Sequence, residues 1–117
     1  MTTQLPADVE RSLRSLLEPG EDVLGFVTSV AATLVLTDRR VVIAREGRAW
    51  RPANGIRSWP ISAAIAFRWR APRGGVGRLV VGSGTEEVSI FVRESDWEEA
   101  LRLVRIARTI ARVAPDD

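Results

Sequence analysis

From residue 22 to residue 93 the hydrophobic period of the chain is two and its apolar residues are rich in valine and isoleucine. That is the mark of strands whose successive side chains point to opposite faces. Some seventy residues with this pattern predict short antiparallel strands that close into a barrel or a sandwich. Strands are expected over 23–30, 33–36 and 40–45. Thr37-Asp38-Arg39 forms the turn between the second and third, because an Asp side chain accepts a hydrogen bond from its own downstream backbone. Glu46-Gly47 offers another turn. Asn54-Gly55 is the strongest two-residue hairpin signal, since both positions tolerate φ > 0, and a two-residue loop there sets Trp50 opposite Trp59. Ile61, Ala63, Ile65, Phe67 and Trp69 then alternate with Ser62, Ala64, Ala66, Arg68 and Arg70, so this strand has one large apolar face and one that is small and then basic. Ala71-Pro72-Arg73-Gly74-Gly75 reads as a loop, and 77–82 with 87–93 as a final hairpin.

Helical periods flank this stretch. Val9, Leu13, Leu16 and Leu17 follow the i, i+4, i+7, i+8 spacing of one helical face, with Pro6 in the first turn and Pro19-Gly20 as the stop. This short amphipathic helix within 1–19 must lay its stripe on something. Ser95-Asp96-Trp97-Glu98 has the form of a capping box and opens a helix over 95–113. Its stripe of Trp97, Leu101, Val104, Ala107 and Ala111, widened by Leu103, Ile106, Ile110 and Val113, requires docking on a sheet or on another chain. Length and a 45% apolar content suit one domain over 1–117.

Composition narrows the chemistry. The chain has no His, Cys, Lys or Tyr, which removes most side chains that carry catalysis, and neither a cofactor nor a metal is expected. The sequence pI near 10.8 reflects the absence of groups that titrate between about pH 5 and pH 11, because the formal net charge is only +2 from 17 basic and 15 acidic residues. All the basic residues are arginine, which beside abundant Ala, Val and Gly matches the coding bias of a GC-rich bacterial genome. Neither a signal-peptide pattern nor a membrane-length apolar run is present, so the expected location is the cytoplasm. A hydrolase working with carboxylates alone would need two converging acids. The candidates Asp22, Asp38, Glu86, Glu87, Asp96 and Glu98 fall at turns and element ends.

The runs Leu17-Glu18-Pro19-Gly20-Glu21-Asp22-Val23-Leu24, Leu34-Val35-Leu36-Thr37-Asp38-Arg39-Arg40-Val41-Val42, Ser58-Trp59-Pro60-Ile61 and Gly77-Arg78-Leu79-Val80-Val81, with the helix led by Trp97, together resemble the bacterial pleckstrin-homology-like (PH-like) domains. The resemblance spans roughly residues 14 to 112. It implies a mainly β fold, a seven-stranded bent barrel capped by a C-terminal helix, without catalytic machinery and used for interaction. Phosphoinositide-binding members of the superfamily carry basic residues around the loop joining the first two strands. Here that region reads Thr28-Ser29-Val30-Ala31-Ala32-Thr33 and has none, so lipid binding is not carried over.

The expected function is a non-catalytic interaction module that binds a protein partner or itself. For self-association the candidates are Val9, Leu13, Leu16 and Leu17. The alternative is an anionic ligand, a lipid headgroup or single-stranded nucleic acid, held by Arg48, Arg57, Arg68 and Arg70 with Trp50 and Trp59 as stacking platforms. Against it, both tryptophans also suit packing on the barrel under arginine stems. Arg102, Arg105, Arg108 and Arg112 follow the pattern of a membrane-surface helix, but the apolar side of that helix is needed to close the barrel. The glycines at Gly74-Gly75-Val76-Gly77 open a strand rather than a helix, so they read as a hairpin loop and not a phosphate cradle.

Overall fold

Two tight turns set the first sheet. Val30-Ala31 returns β1 (Val23–Ser29) onto β2 (Ala32–Thr37), and Asp38-Arg39 returns β2 onto β3 (Arg40–Arg45). Ala31 takes the positive φ of 59° that the first turn requires. The computed structural model describes residues 5, 7–45 and 55–113. The Glu46-Gly47 turn, Asn54, Arg48 and Trp50 therefore lie outside the described residues, and with them the expected Trp50–Trp59 pair.

β4 (Ile56–Pro60) completes an antiparallel sheet in the order β1-β2-β3-β4. The chain then crosses to an antiparallel sheet of β5 (Ile65–Arg70), β6 (Val76–Ser83) and β7 (Glu86–Arg93). The crossing corrects the expected unbroken strand through Ile61 to Arg70. Ser62 turns the backbone there: its carbonyl accepts from the Ile65 N–H at 3.1 Å and its hydroxyl from the Ala64 N–H at 3.2 Å. Alternation alone does not report that interruption, because the small residues Ala63 and Ala64 keep the period across it. The sheets also meet where the Val30 N–H donates to the Phe91 carbonyl at 2.9 Å.

α2 (Trp97–Val113) closes the barrel, entered through a single 3₁₀ turn, Glu94–Asp96. Ser95 lies inside that turn and not at the helix cap, and the last extended residue before it is Arg93. α2 buries Trp97, Ala100, Leu103, Val104 and Ala107 against Leu34, Leu36, Val41 and Ile43 of the first sheet and Phe67, Leu79, Val81, Ile90 and Val92 of the second. Ala100 and Leu103 thus replace Leu101 and Ala111 at the centre of the stripe, and Val113 is exposed. Close approach is built into two strands. A Cβ on Gly25 would lie 2.7 Å from Leu103 Cδ2, and one on Gly77 would lie 2.6 Å from Trp97 Cζ3 and 2.8 Å from the Arg70 carbonyl.

α1 (Ala7–Leu16) finds its partner on the opposite face of the first sheet. Val9 and Leu13 are buried there with Val35, Val42 and Ala44, and Leu16, Leu17, Phe26 and Ile56 pack around them. This explains why every residue of β2 is buried: one face meets the barrel core and the other meets α1. Of the stripe read as a self-association surface, Val9 and Leu13 are therefore covered within the chain, and Leu16 and Leu17 are partly buried beside them. Leu13→Ala is expected to cost about 2 kcal/mol, the low end for a buried leucine, because a terminal helix can undock without opening the barrel. Chemical denaturation measures this, and a cost near zero would mean that α1 packs elsewhere.

Candidate functional site

The most conspicuous polar cluster joins the segment after α1 to the β2–β3 turn. Glu21 follows the Pro19-Gly20 stop, and its side chain is 0% exposed. Its Oε2 accepts from the Thr37 hydroxyl at 2.6 Å and from Arg40 Nε at 2.9 Å, and its Oε1 accepts from the Glu18 N–H at 3.0 Å. Burial alone would push the carboxyl up. The Thr37 hydroxyl, the Glu18 amide and the Arg40 charge outweigh it and hold Glu21 below the ordinary glutamate range. Glu18 also takes Arg39 at 2.9 Å and Arg40 at 3.4 Å, while Asp38 Oδ1 accepts from the Asp22 N–H and the Asp38 N–H donates to the Asp22 carbonyl, both at 3.0 Å. The Thr37-Asp38-Arg39-Arg40 motif thus acts as a clasp between two segments. Its polar groups are consumed by one another, which is what a structural role requires and a ligand site does not.

Two of the remaining candidate acids face arginines. Glu86 faces Arg57 at 3.9 Å and Glu87 pairs with Arg68 at 2.6 Å, while Asp96 and Glu98 sit in the first turns of the 3₁₀ and α2 helices. Among the described residues no group of three or more metal-ligating side chains converges. No helix among them is long and apolar enough to cross a membrane.

The structure separates the arginines and tryptophans that the sequence reading grouped together. Trp59 is 3% exposed and lies with Val41 and Phe67 in the core, so its ring is no stacking platform. Arg57 is on the same sheet face as Trp59 and Ile43, at the barrel mouth beside Glu86. Arg68 and Arg70 are elsewhere, on the outer face of the second sheet. Trp69, expected inside with Phe67, is 41% exposed. It lies beyond the packed centre of the barrel, where the Arg108 guanidinium covers it 4.8 Å from the ring centroid.

That outer face brings arginines together with exposed apolar side chains. Register sets Arg70, Arg78 and Phe91 in one row across β5, β6 and β7, and Arg68, Val80 and Ser89 in the next. Arg68, Trp69, Arg70, Arg78 and Val80 line a shallow depression of about 210 Å³. Arg78 is extended across the sheet by hydrogen bonds to Ser89 Oγ at 3.1 and 3.3 Å. Phe91 is 48% and Val76 47% exposed, and Val76 pairs with Arg93 at the end of the face. Arg70 directly opposite Arg78 is a like-charge pair, which a sheet does not choose for stability. The exposed Arg68–Glu87 bridge offsets little of this, since such pairs contribute about 0–1 kcal/mol. Phe91, Val76 and Arg93 share this face with Arg68 and Arg70, which were expected to line a ligand site. The alternation Glu87, Ser89, Phe91, Arg93 on β7 carried the signal, yet only the pairing register shows that it shares a face with the arginines.

No protein-family model and no curated protein matches the sequence. In structure, the chain is similar to the crystal structure of a pleckstrin homology domain from Shewanella amazonensis SB2B, with a TM-score of 0.55 over 92% of this chain and 86% of that one, at 17% identity. With the four- and three-stranded sheets and the capping helix, this makes the fold PH-like.

Proposed function

We propose that the protein is a non-catalytic binding module that docks an acidic segment of a protein partner on the outer face of its second sheet. The observation that carries this reading is the Arg70–Arg78 pair in one row with the exposed Phe91. Two cations face each other across strands with an aromatic ring beside them. A partner carboxylate relieves their repulsion while the ring supplies apolar contact, and arginine with an aromatic anchor is a frequent hot-spot combination. Several features favour a protein segment over a lipid headgroup. The β1–β2 connection is a two-residue turn, Val30-Ala31, without a cation, and the apolar side of α2 is used in the core. Burial of Trp59 weakens the nucleic-acid alternative, which relied on its ring.

The test is fluorescence anisotropy with a labelled seven-residue peptide of alternating glutamate and valine. Native protein is expected to bind it, more weakly as salt rises. Arg70→Glu with Arg78→Glu is expected to weaken binding by about tenfold or more. Equal affinity for the native protein and the double variant would overturn the assignment.

A further inference from the structure

The mode of docking follows from the free edges of the two sheets. In the β6–β7 hairpin, Ser83 and Glu86 close a two-residue loop, so Ser83, Val81 and Leu79 direct their backbone groups toward β7. Their partners on β5 are Ile65, Phe67 and Trp69. The N–H and C=O groups of these three residues therefore point away from β6. Two hydrogen bonds agree with this: the Ile65 N–H donates to the Ser62 carbonyl at 3.1 Å, and the Phe67 carbonyl accepts from Arg108 Nη2 at 3.4 Å. Among the described residues no strand pairs with this side of β5.

The other edges are less open. On β4 the outward-facing positions are Ile56, Ser58 and Pro60, and proline there has no N–H to offer. On β1 the edge meets β7 at Val30, and α2 packs closely over Gly25. β5 retains the Phe67 carbonyl and both backbone groups of Trp69, with only the long Arg108 contact on the first, a bond weak enough for an incoming amide to replace.

We infer that the free edge of β5 receives an extended acidic segment of a protein partner as an added strand; this rests on the proposed function and supplies its geometry. The period of two sorts the side chains of such a strand. Those on the outer side lie next to Arg68 and Arg70, where carboxylates fit. Those on the inner side lie next to the half-exposed Trp69, where apolar groups fit. The recognised pattern is thus alternating acidic and apolar residues. A second copy of the chain fits poorly, because edge pairing of β5 with itself would bring the Arg68 and Arg70 of two copies onto one face, and like charges across a strand pair repel.

The alternating glutamate–valine peptide is compared with two versions of itself, N-methylated at alternate residues in either of the two phases. N-methylation removes backbone donors while keeping every charge. The inference predicts that one phase loses binding at least tenfold and that the other, whose methyl groups point away from β5, binds nearly as the parent. Loss of the Trp69 edge donor in Trp69→Pro is expected to weaken the parent peptide by a similar factor, with circular dichroism reporting whether the barrel persists. Should that variant unfold, the N-methylated pair decides alone. Equal binding of all three peptides would overturn strand addition while leaving the basic face in place. Binding by none of them would overturn the basic-face reading itself.

Discussion

Trp97→Ala is expected to destabilise the protein by about 3–5 kcal/mol, a large share of the stability of a chain this size. The indole is 7% exposed and sits where α2 begins, against β6 at Gly77, where a Cβ would come within 2.6 Å of its Cζ3. Removing the ring deletes the largest side chain that α2 contributes and leaves a cavity beside the glycine made to admit it. The backbone around Gly77 is fixed in the β6 ladder, so the walls cannot collapse inward. Gly77→Ala is the converse experiment. It adds one carbon where the Arg70 carbonyl, Pro72 Cδ and Trp97 Cζ3 all lie under 3.0 Å, and it should also be destabilising. If both substitutions left the denaturation midpoint unchanged, α2 would not dock through Trp97.

Glu21→Ala is expected to cost about 3 kcal/mol at neutral pH. The Arg40 side chain is only 18% exposed, so removing the carboxylate leaves a largely buried guanidinium with the 3.4 Å contact to Glu18 as its remaining ion pair among the described residues, and it takes an acceptor from the Thr37 hydroxyl and the Glu18 amide. A pH dependence accompanies this. The folded protein holds the Glu21 carboxyl below its unfolded value, so the folded state binds that proton less readily than the unfolded chain. The stabilisation is therefore complete above the ordinary glutamate pKa of about 4.3 and is lost as pH falls through the lowered folded value. The stability gap between native protein and Glu21→Gln should narrow over that acid range and stay constant between pH 6 and 8, where pH is on the order of two or more units above that pKa. Urea titrations at a series of pH values read both regions.

Much of the fold was legible because its signals are local. The period-two stretch, the Thr37-Asp38-Arg39 turn and the Trp97 helix are each set by residues within a few positions of one another, and β3 falls where it was expected. Three features were not legible, for one shared reason. The docking of α1 on the outside of the first sheet, the burial of Glu21 against Arg40, and the row of Arg70, Arg78 and Phe91 all depend on which residues meet across strands or layers. Hydrophobic alternation reports that a face exists, not what covers it. Val35, Val42 and Ala44 show this most plainly: a period of two sets them on the face away from the barrel core, and only the fold shows that α1 covers that face. Likewise Glu21 stood in the sequence as one acid among several, and only its contact with Thr37 and Arg40 separates it from Asp22 beside it.

The most direct measurement of the central claim is a two-dimensional ¹H–¹⁵N NMR titration of the native protein with the alternating glutamate–valine peptide. The account predicts that the largest shifts fall on the amides of β5 and on the rows of Arg70, Arg78 and Phe91, with α1 and the Glu21 clasp unmoved. Shifts concentrated on α1 and β1, or spread evenly over all exposed arginines, would contradict it.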